Sequence, residues 1–301
     1  LKKRQKLSLN SDEVVDQLVS ISTKEELLSK DILGLLLRQE SARADGAYFQ
    51  FLTKNQAEIE QSGLVRGNNL DNQLVQYLTA DLKRAISKKD ITLLNHIVGV
   101  RSKLPSRNPI EWETGSMKMN FYAQTGNEKE LIKVLEEYSY QVLSYDKSII
   151  RAGNEKSLKQ FEELVKQGRY ENSTEEEIAV VRSFYANMEG TPYAYRVRDM
   201  ADAVLKAVND KVWLNYALNW MHLASAYSDN FTILEINAGV LHKLGRKDEA
   251  IKYQQAAIDA YNRLKLDNEI ISSRLTSNFQ KIKEGKPTWI ENKSETVVTG
   301  K

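Results

Sequence analysis

The feature that most constrains this chain is a spacing of three and four residues between apolar side chains, which recurs along the whole sequence. This spacing places apolar side chains on one face of an α-helix, whereas a strand needs strict alternation, which is hard to find here. Three stretches show it best: Leu70, Leu74, Tyr77, Leu78, Leu82 and Ile86; Leu131, Leu135, Tyr138 and Val142; Ile271, Leu275, Phe279 and Ile282. With only 14 glycines and 4 prolines in 301 residues, turn formers are too few for a many-stranded sandwich or barrel. The sequence therefore predicts an all-α fold.

Capping residues and glycines divide the periodic stretches into separate helices. A capping residue followed by glutamate three residues later marks a helix start, as at Thr23, Asn127 and Thr174. The pair Thr191-Pro192 predicts an N-cap followed by proline at the first helical position. Helix ends are predicted at Gly63, Gly126, Gly168 and Gly245, and a loop over residues 105–109. These signals predict about eleven or twelve helices, paired as antiparallel hairpins that must stack to bury their apolar faces.

The predicted helices fall into two regions followed by a tail. Pairing is irregular over residues 1–190, which we predict to be a helical-hairpin region. Residues 191–285 carry a more regular pattern, whose last helix, near residues 270–282, would cap the array. Pro287 breaks this helix, and the polar, aperiodic residues around it predict a flexible tail over residues 286–301.

One segment carries a recognisable repeat pattern. The stretch from Leu241 to Ile251, LHKLGRKDEAI, has a glycine that would end one helix and a small residue, Ala250, that would let the next helix pack closely. Ala257 follows at the spacing of seven, and Ala238 fills a small site in the preceding helix. This segment resembles the tetratricopeptide repeat, which implies helix hairpins stacked into a right-handed superhelix with a concave, protein-binding surface.

A fainter copy of the pattern lies upstream, since Ala217 precedes Ala250 by 33 residues, close to the family period of about 34. The resemblance then assigns groove-facing positions on two helices: Asp199, Asp202 and Lys206 on the first, and Thr232, Glu235, Gly239, His242 and Lys243 on the second. Some members of the family grip a partner's terminal carboxylate with Lys and Asn at these sites. Glu235 and Gly239 replace such residues here, so the resemblance implies a mixed to acidic groove and a basic or apolar partner segment.

Aromatic residues cluster just before this segment. Trp213, Tyr216, Trp220 and Tyr227 follow a helical spacing, which is typical of a core seam between hairpins and also of an anchor surface for a peptide. Tyr193 and Tyr195 flank a predicted loop upstream and are candidates for the same concavity, with Tyr185 nearby. The predicted groove residues are therefore Tyr193, Tyr195, Asp199, Asp202, Lys206, Tyr216, Trp220, Glu235 and His242.

The sequence lacks the motifs of several functional classes. The chain has no cysteine, and its three histidines are far apart, so we predict no metal site, no cofactor and no catalytic residue. Neither a phosphate-binding glycine loop nor a nucleophile elbow occurs, and the many carboxylate pairs suit charged helix faces. The net charge of +2 gives no reason to expect nucleic acid. A basic cluster, Lys2, Lys3, Arg4 and Lys6, is typical of a solvated chain end. No apolar run is long enough to span a membrane.

These observations predict a non-catalytic module that binds a protein or peptide through its concave surface. An alternative is a structural or dimerisation arm, since irregular helices before a late repeat resemble the helical arm that follows the thioredoxin-like domain in some bacterial envelope proteins. That resemblance implies a homodimer and a periplasmic or envelope location if a signal sequence has been removed; otherwise the protein would be cytoplasmic. The absence of an initiator methionine fits a processed or truncated chain. An all-α enzyme with a site between helices is the third alternative.

Overall fold

The protein is all-α, as the periodicity predicts. A computed structural model describes residues 11–65, 69–106, 109–264 and 268–289, and these residues contain sixteen helices and no strand. Contacts between Cα atoms divide the chain into two compact units, Leu1–Phe121 and Tyr122–Lys301. The boundary between these two units therefore differs from the boundary that the sequence predicts near residue 190. The predicted basic N-terminal cluster lies outside the described residues.

The first unit consists mostly of short helices. Its helices are α1 (Ser11–Ile21), α2 (Lys24–Leu28), α3 (Lys30–Leu36), α4 (Ala47–Lys54), α5 (Gln56–Gln61), α6 (Asn69–Lys88) and α7 (Ile91–Arg101). The chain then continues into α8 (Ile110–Thr125), within which the two units meet along the sequence. Because several of these helices have fewer than nine residues, the chain forms more helices than the eleven or twelve that the sequence predicts.

The core of the first unit is built on two buried tyrosines. The rings of Tyr48 and Tyr77 lie 6.2 Å apart between centroids. The Tyr48 hydroxyl donates a hydrogen bond to the Leu36 carbonyl at 2.5 Å, and the Tyr77 hydroxyl donates to the Gln39 carbonyl at 2.6 Å. A buried tyrosine needs such a partner for its hydroxyl. These bonds therefore fix the α4 and α6 rings against the turn that follows α3.

The second unit contains longer helices. They are α9 (Glu128–Leu143), α10 (Lys147–Lys166), α11 (Glu175–Ala186), α12 (Gly190–Ala207), α13 (Lys211–Ser225), α14 (Phe231–Lys243), α15 (Lys247–Arg263) and α16 (Glu269–Glu284). From α12 onward each helix packs against the next, and α12 also packs against α14. Consecutive and alternate contacts of this kind are what stacked hairpins produce. In addition, α9 and α10 contact α12.

Most of the predicted helix ends are confirmed. Thr23 and Thr174 form complete capping boxes with the glutamates three residues on, and the Asn127 side chain accepts a hydrogen bond from the Glu130 N–H. The four glycines predicted to end helices all have positive φ, from 72° to 81°. Glycine adopts this conformation without the steric cost that a Cβ brings.

The predicted start of α12 is wrong. The helix begins at Gly190, so Thr191 is not its N-cap and Pro192 is its third residue. The reason is a cap from another helix, since the Asn154 side-chain oxygen on α10 accepts hydrogen bonds from the N–H groups of Glu189 and Gly190 at 2.8 and 3.3 Å. These two hydrogen bonds satisfy backbone N–H groups at the helix start, which a side chain close in sequence usually satisfies.

Small residues allow the helices of the second unit to pack closely, as the repeat pattern predicts. Ala217, Ala238, Ala250 and Ala257 are all fully buried. A buried Gln254 stands where the repeat pattern has a bulky residue, and its side chain donates a hydrogen bond to the Leu275 carbonyl at 3.0 Å. This bond ties α15 to α16. None of the helices in the described parts of the chain combines the length and apolar character needed to cross a bilayer.

Candidate functional site

A cavity of about 600 Å³ opens on one side of the second unit. Its main walls are three alternate helices, α12, α14 and α16. They contribute Arg198, Asp199, Asp202, Leu205 and Lys206; Thr232, Glu235, Ile236 and Gly239; and Arg274 and Asn278. Gln254 on α15, Ala123 and Gln124 from the end of α8, and Thr288 and Trp289 after α16 complete the lining. On the three helical walls alone, stacking brings together side chains that are up to 80 residues apart in sequence.

Gly239 on α14 leaves room for the Leu205 side chain of α12 in the cavity wall. A Cβ at this position would lie 2.6 Å from Leu205 Cδ2, closer than carbon atoms pack. One turn further along α14, Lys243 Nζ donates a hydrogen bond to the Leu205 carbonyl at 2.8 Å. That carbonyl belongs to the last turn of α12, where no intrahelical donor is available. The two contacts fix the spacing of the first two walls.

Ionic side chains line the α12 wall in pairs. Arg198 donates to Asp199 and also reaches across to α14, where its Nη1 lies 2.9 Å from the Thr232 hydroxyl. Lys206 pairs with Asp202 one turn away on the same helix. Both carboxylates are therefore already bonded to cations of their own helix.

The α14 and α16 walls are joined by Glu235. Its carboxylate accepts hydrogen bonds from Arg274 Nε and Nη2 at 3.1 and 2.8 Å, and from Asn278 Nδ2 at 3.0 Å. The Glu235 side chain is only 10% exposed, which strengthens a bidentate arginine pair relative to a surface pair. Since Arg274, Arg198 and Lys206 match Glu235, Asp199 and Asp202 one for one, the charges of the lining balance. The expected mixed character is present, but no acidic excess remains among these six residues.

A short non-helical segment of the chain lies against the α14 wall. Helix α16 ends at Glu284. The next residue, Gly285, caps the helix with a left-handed φ of 70° that turns the chain, and Pro287 follows. Thr288 Oγ1 lies 3.6 Å from the position that a Cβ of Gly239 would occupy. The Trp289 ring then faces Lys243, whose Nζ is 5.1 Å from the ring centroid. A cation at this distance from the face of an indole is attracted by its quadrupole.

His242 completes the surroundings of Trp289. The two ring centroids are 5.5 Å apart at an interplanar angle of 64°. Burial lowers the pKa of His242, and the charge of the nearby Lys247 lowers it further. Burial also lowers the pKa of Lys243 to about 8. Segment 286–289 belongs to the predicted tail; residues 290–301 lie outside the described residues, and the predicted flexibility stays a prediction.

The structure places four of the predicted groove residues in the cavity wall and five elsewhere. Asp199, Asp202, Lys206 and Glu235 line the cavity. His242 lies behind Trp289, close to the wall. The remaining four, Tyr193, Tyr195, Tyr216 and Trp220, do not line it.

Each of these four aromatic residues has other neighbours. Tyr193 is buried against Tyr227, which raises its pKa to about 12 through burial. Tyr195 lies under the Arg198 guanidinium, 4.7 Å from it. Tyr216 and Trp220 form a stacked pair on α13, 6.5 Å apart, and Trp213 joins them. The predicted single stripe ends there, because α13 stops at Ser225, before Tyr227.

The sequence did not indicate several residues of the cavity: Arg198, Arg274, Asn278, Thr288 and Trp289. Arg198 is the neighbour of a predicted groove position and reaches the cavity because an arginine side chain is long. Arg274 and Asn278 follow a spacing of four on the exposed face of α16, which is a detectable signal once this helix is counted as a wall. Thr288 and Trp289 follow a helix-ending glycine and a proline, and no periodic signal covers them.

Comparison with known proteins returns no relative. No protein-family model matches the chain, and no curated protein or solved structure matches it either. Within the described residues, no group of three or more histidines and carboxylates is placed to hold a metal ion. The function must therefore be inferred from the cavity itself.

Proposed function

We propose that the second unit is a non-catalytic binding module that holds an extended segment of a partner protein in the cavity between α12, α14 and α16. One observation carries the proposal: the non-helical segment Pro287–Trp289 already lies against the α14 wall, with its aromatic ring on Lys243. These contacts support the use of the same wall by an extended segment of a partner. The tetratricopeptide-like pattern around Gly245 and Ala250 supports the same use of a concave face.

The chemistry of the lining fits a peptide. An extended peptide presents unpaired N–H and C=O groups along its length, and these need partners when water is removed. The cavity offers the Asn278 side-chain amide, ionic pairs of both signs and apolar surface from Ile236. Polar groups and apolar surface that converge in one cavity are typical of recognition sites. The sequence predicts a basic or apolar partner segment, and the balanced charges of the lining favour an uncharged one with apolar or aromatic side chains.

Filling the cavity should weaken binding. Ile236 is partly exposed in the cavity wall, so the variant Ile236→Trp places an indole where a peptide would lie. We expect peptides selected on the wild-type chain from a random peptide display library to bind this variant at least about tenfold more weakly, as loss of a central contact predicts. Fluorescence anisotropy of the labelled peptides measures the change.

The matched control is Ile149→Trp. Ile149 is 53% exposed on α10 and does not line the cavity, so the same substitution there should leave peptide affinity unchanged. Circular dichroism of both variants verifies that they fold. Selected peptides that bind Ile236→Trp as tightly as the wild type would place the binding surface elsewhere and contradict the proposal.

A further inference from the structure

The Trp289 segment lines the cavity without forming a well-satisfied core. Trp289 is only partly buried, and the Thr288 hydroxyl is buried with no hydrogen-bond partner among the described residues. A buried hydroxyl without a partner lowers stability, because it has lost its hydrogen bonds to water and gained none in return. The same contacts also keep Lys243 partly away from water. The segment thus makes specific contacts but carries costs that a permanent core element usually avoids.

The surface under Trp289 has the features of an aromatic subsite. Gly239 provides a side-chain-free stretch of helix against which the chain can lie, and Lys243 faces the ring at 5.1 Å. His242 approaches the same ring at 5.5 Å. Cations and rings arranged around a flat aromatic side chain select aromatic residues over aliphatic ones, since only an aromatic ring has the quadrupole that attracts the cation.

We propose that Trp289 occupies in cis an aromatic subsite formed by Gly239, His242 and Lys243, and that a partner segment binds by placing an aromatic side chain in the same position. This inference rests on the proposed peptide-binding function and names its specificity. It makes the chain's own C-terminal segment a competitor of the partner.

The strength of the competition follows from tethering. A segment joined by a short linker has an effective concentration of roughly 1 mM. If the free segment bound the empty subsite with a Kd of about 100 μM, the tethered copy would weaken a competing peptide by about tenfold. The chain would thus select partners that bind more tightly than its own segment.

A peptide with the chain's own sequence tests the inference directly. The probe is a fluorescein-labelled synthetic peptide of residues 284–295, added to the full chain and to its Trp289→Ala variant. We expect the variant to bind the peptide about tenfold more tightly than the wild type, because its subsite is empty. A peptide with alanine at the position of Trp289 should bind the variant at least about tenfold more weakly than the native peptide does.

The matched control is Tyr140→Ala. Tyr140 is 76% exposed on α9 and does not line the cavity, so its removal should leave peptide affinity at the wild-type value. Equal affinity of the wild type and Trp289→Ala would overturn the inference, and so would a peptide whose tryptophan is dispensable. The Ile236→Trp experiment separates the two proposals: if selected peptides still need the open cavity, the binding function stands and only the aromatic subsite fails.

A second measurement does not depend on the alanine variant being folded. The wild-type chain labelled with 5-fluorotryptophan gives one fluorine resonance for each of its 4 tryptophans, and a Trp289→Phe variant assigns the resonance of Trp289. Excess peptide should move this resonance towards that of an exposed indole and leave the others in place. If saturating peptide leaves the Trp289 resonance unchanged, the peptide and the Trp289 segment do not compete for one subsite, and the inference is wrong.

Discussion

At the scale of single residues, Lys243 contacts two residues of the cavity lining, Leu205 and Trp289. Its ammonium group donates to the Leu205 carbonyl at the end of α12, and the same nitrogen faces the Trp289 ring. The sequence predicted that Lys243 faces the groove, because its position in the repeat pattern does so. The sequence did not indicate the two groups that Lys243 contacts. The repeat pattern contains no signal for a backbone carbonyl or for a residue beyond the repeat.

The lowered pKa of Lys243 makes a testable prediction about stability. Burial lowers its pKa from 10.5 to about 8 in the folded chain, so between these values the unfolded chain binds more protons. The free energy of unfolding should therefore gain a contribution as pH rises through this window, on the order of 1 kcal/mol for a partly exposed group. Urea unfolding of the wild type and of Lys243→Met, at pH 7.5 and at pH 10.5, measures this contribution as the difference in unfolding free energy between the two proteins.

The Lys243→Met variant is the reference, because it keeps an unbranched side chain and cannot titrate. Other groups that titrate in the same range contribute equally to both proteins and cancel in the difference. The wild type should gain stability relative to the variant as pH rises. A difference that stays constant or falls across the window contradicts this prediction.

At the scale of elements, the sequence predicted a helix start well where the cap is local. At α11, Thr174 and Glu177 are three residues apart and satisfy each other's backbone donors, so the pattern is complete within the chain segment. At α12 the cap comes from Asn154, 35 residues away from Glu189. Sequence patterns for a helix start involve neighbouring residues only. The sequence therefore predicted Thr191 as the N-cap, although the helix begins at Gly190.

Removing the remote cap should destabilise the second unit. The substitution Asn154→Ala leaves two N–H groups at the start of α12 without their acceptor, which we expect to cost about 1–2 kcal/mol of unfolding free energy. Chemical denaturation followed by circular dichroism measures the loss. The matched control is Asn215→Ala on α13, where the exposed amide bonds only to its own helix at the Lys211 carbonyl. If both variants lose the same stability, the remote cap is not what holds the start of α12.

At the scale of the whole second unit, the cavity is a product of stacking. A register of 33 residues was enough to predict that Asp199, Asp202 and Lys206 face the same side as Glu235, and these four side chains do line one cavity. The third wall was missed because α16 carries no copy of the repeat. Its role depends on its packing against α15, which a sequence pattern does not contain.

Loosening α16 should therefore affect stability and binding together. Leu275 is buried against Phe231, Ala257 and Tyr261, so Leu275→Ala should cost about 2–5 kcal/mol of unfolding free energy. Because Arg274 precedes it on the same helix, peptides selected on the wild type should also bind the variant less tightly. Thermal unfolding and peptide anisotropy on the same preparation measure both effects. A variant that loses stability but keeps full affinity would show that α16 is a cover and not a wall of the site.

The position of Trp289 has a consequence for how such a binding site changes during evolution. Lys243 and the Trp289 ring that it faces lie on one polypeptide, only 46 positions apart. They are inherited together, so a substitution in the subsite that favours a new partner immediately alters the fit of the internal segment too. A change in specificity must then preserve or restore the fit of both the partner and the internal segment. The sequence of the segment after α16 therefore reflects the ligands for which the cavity has been selected.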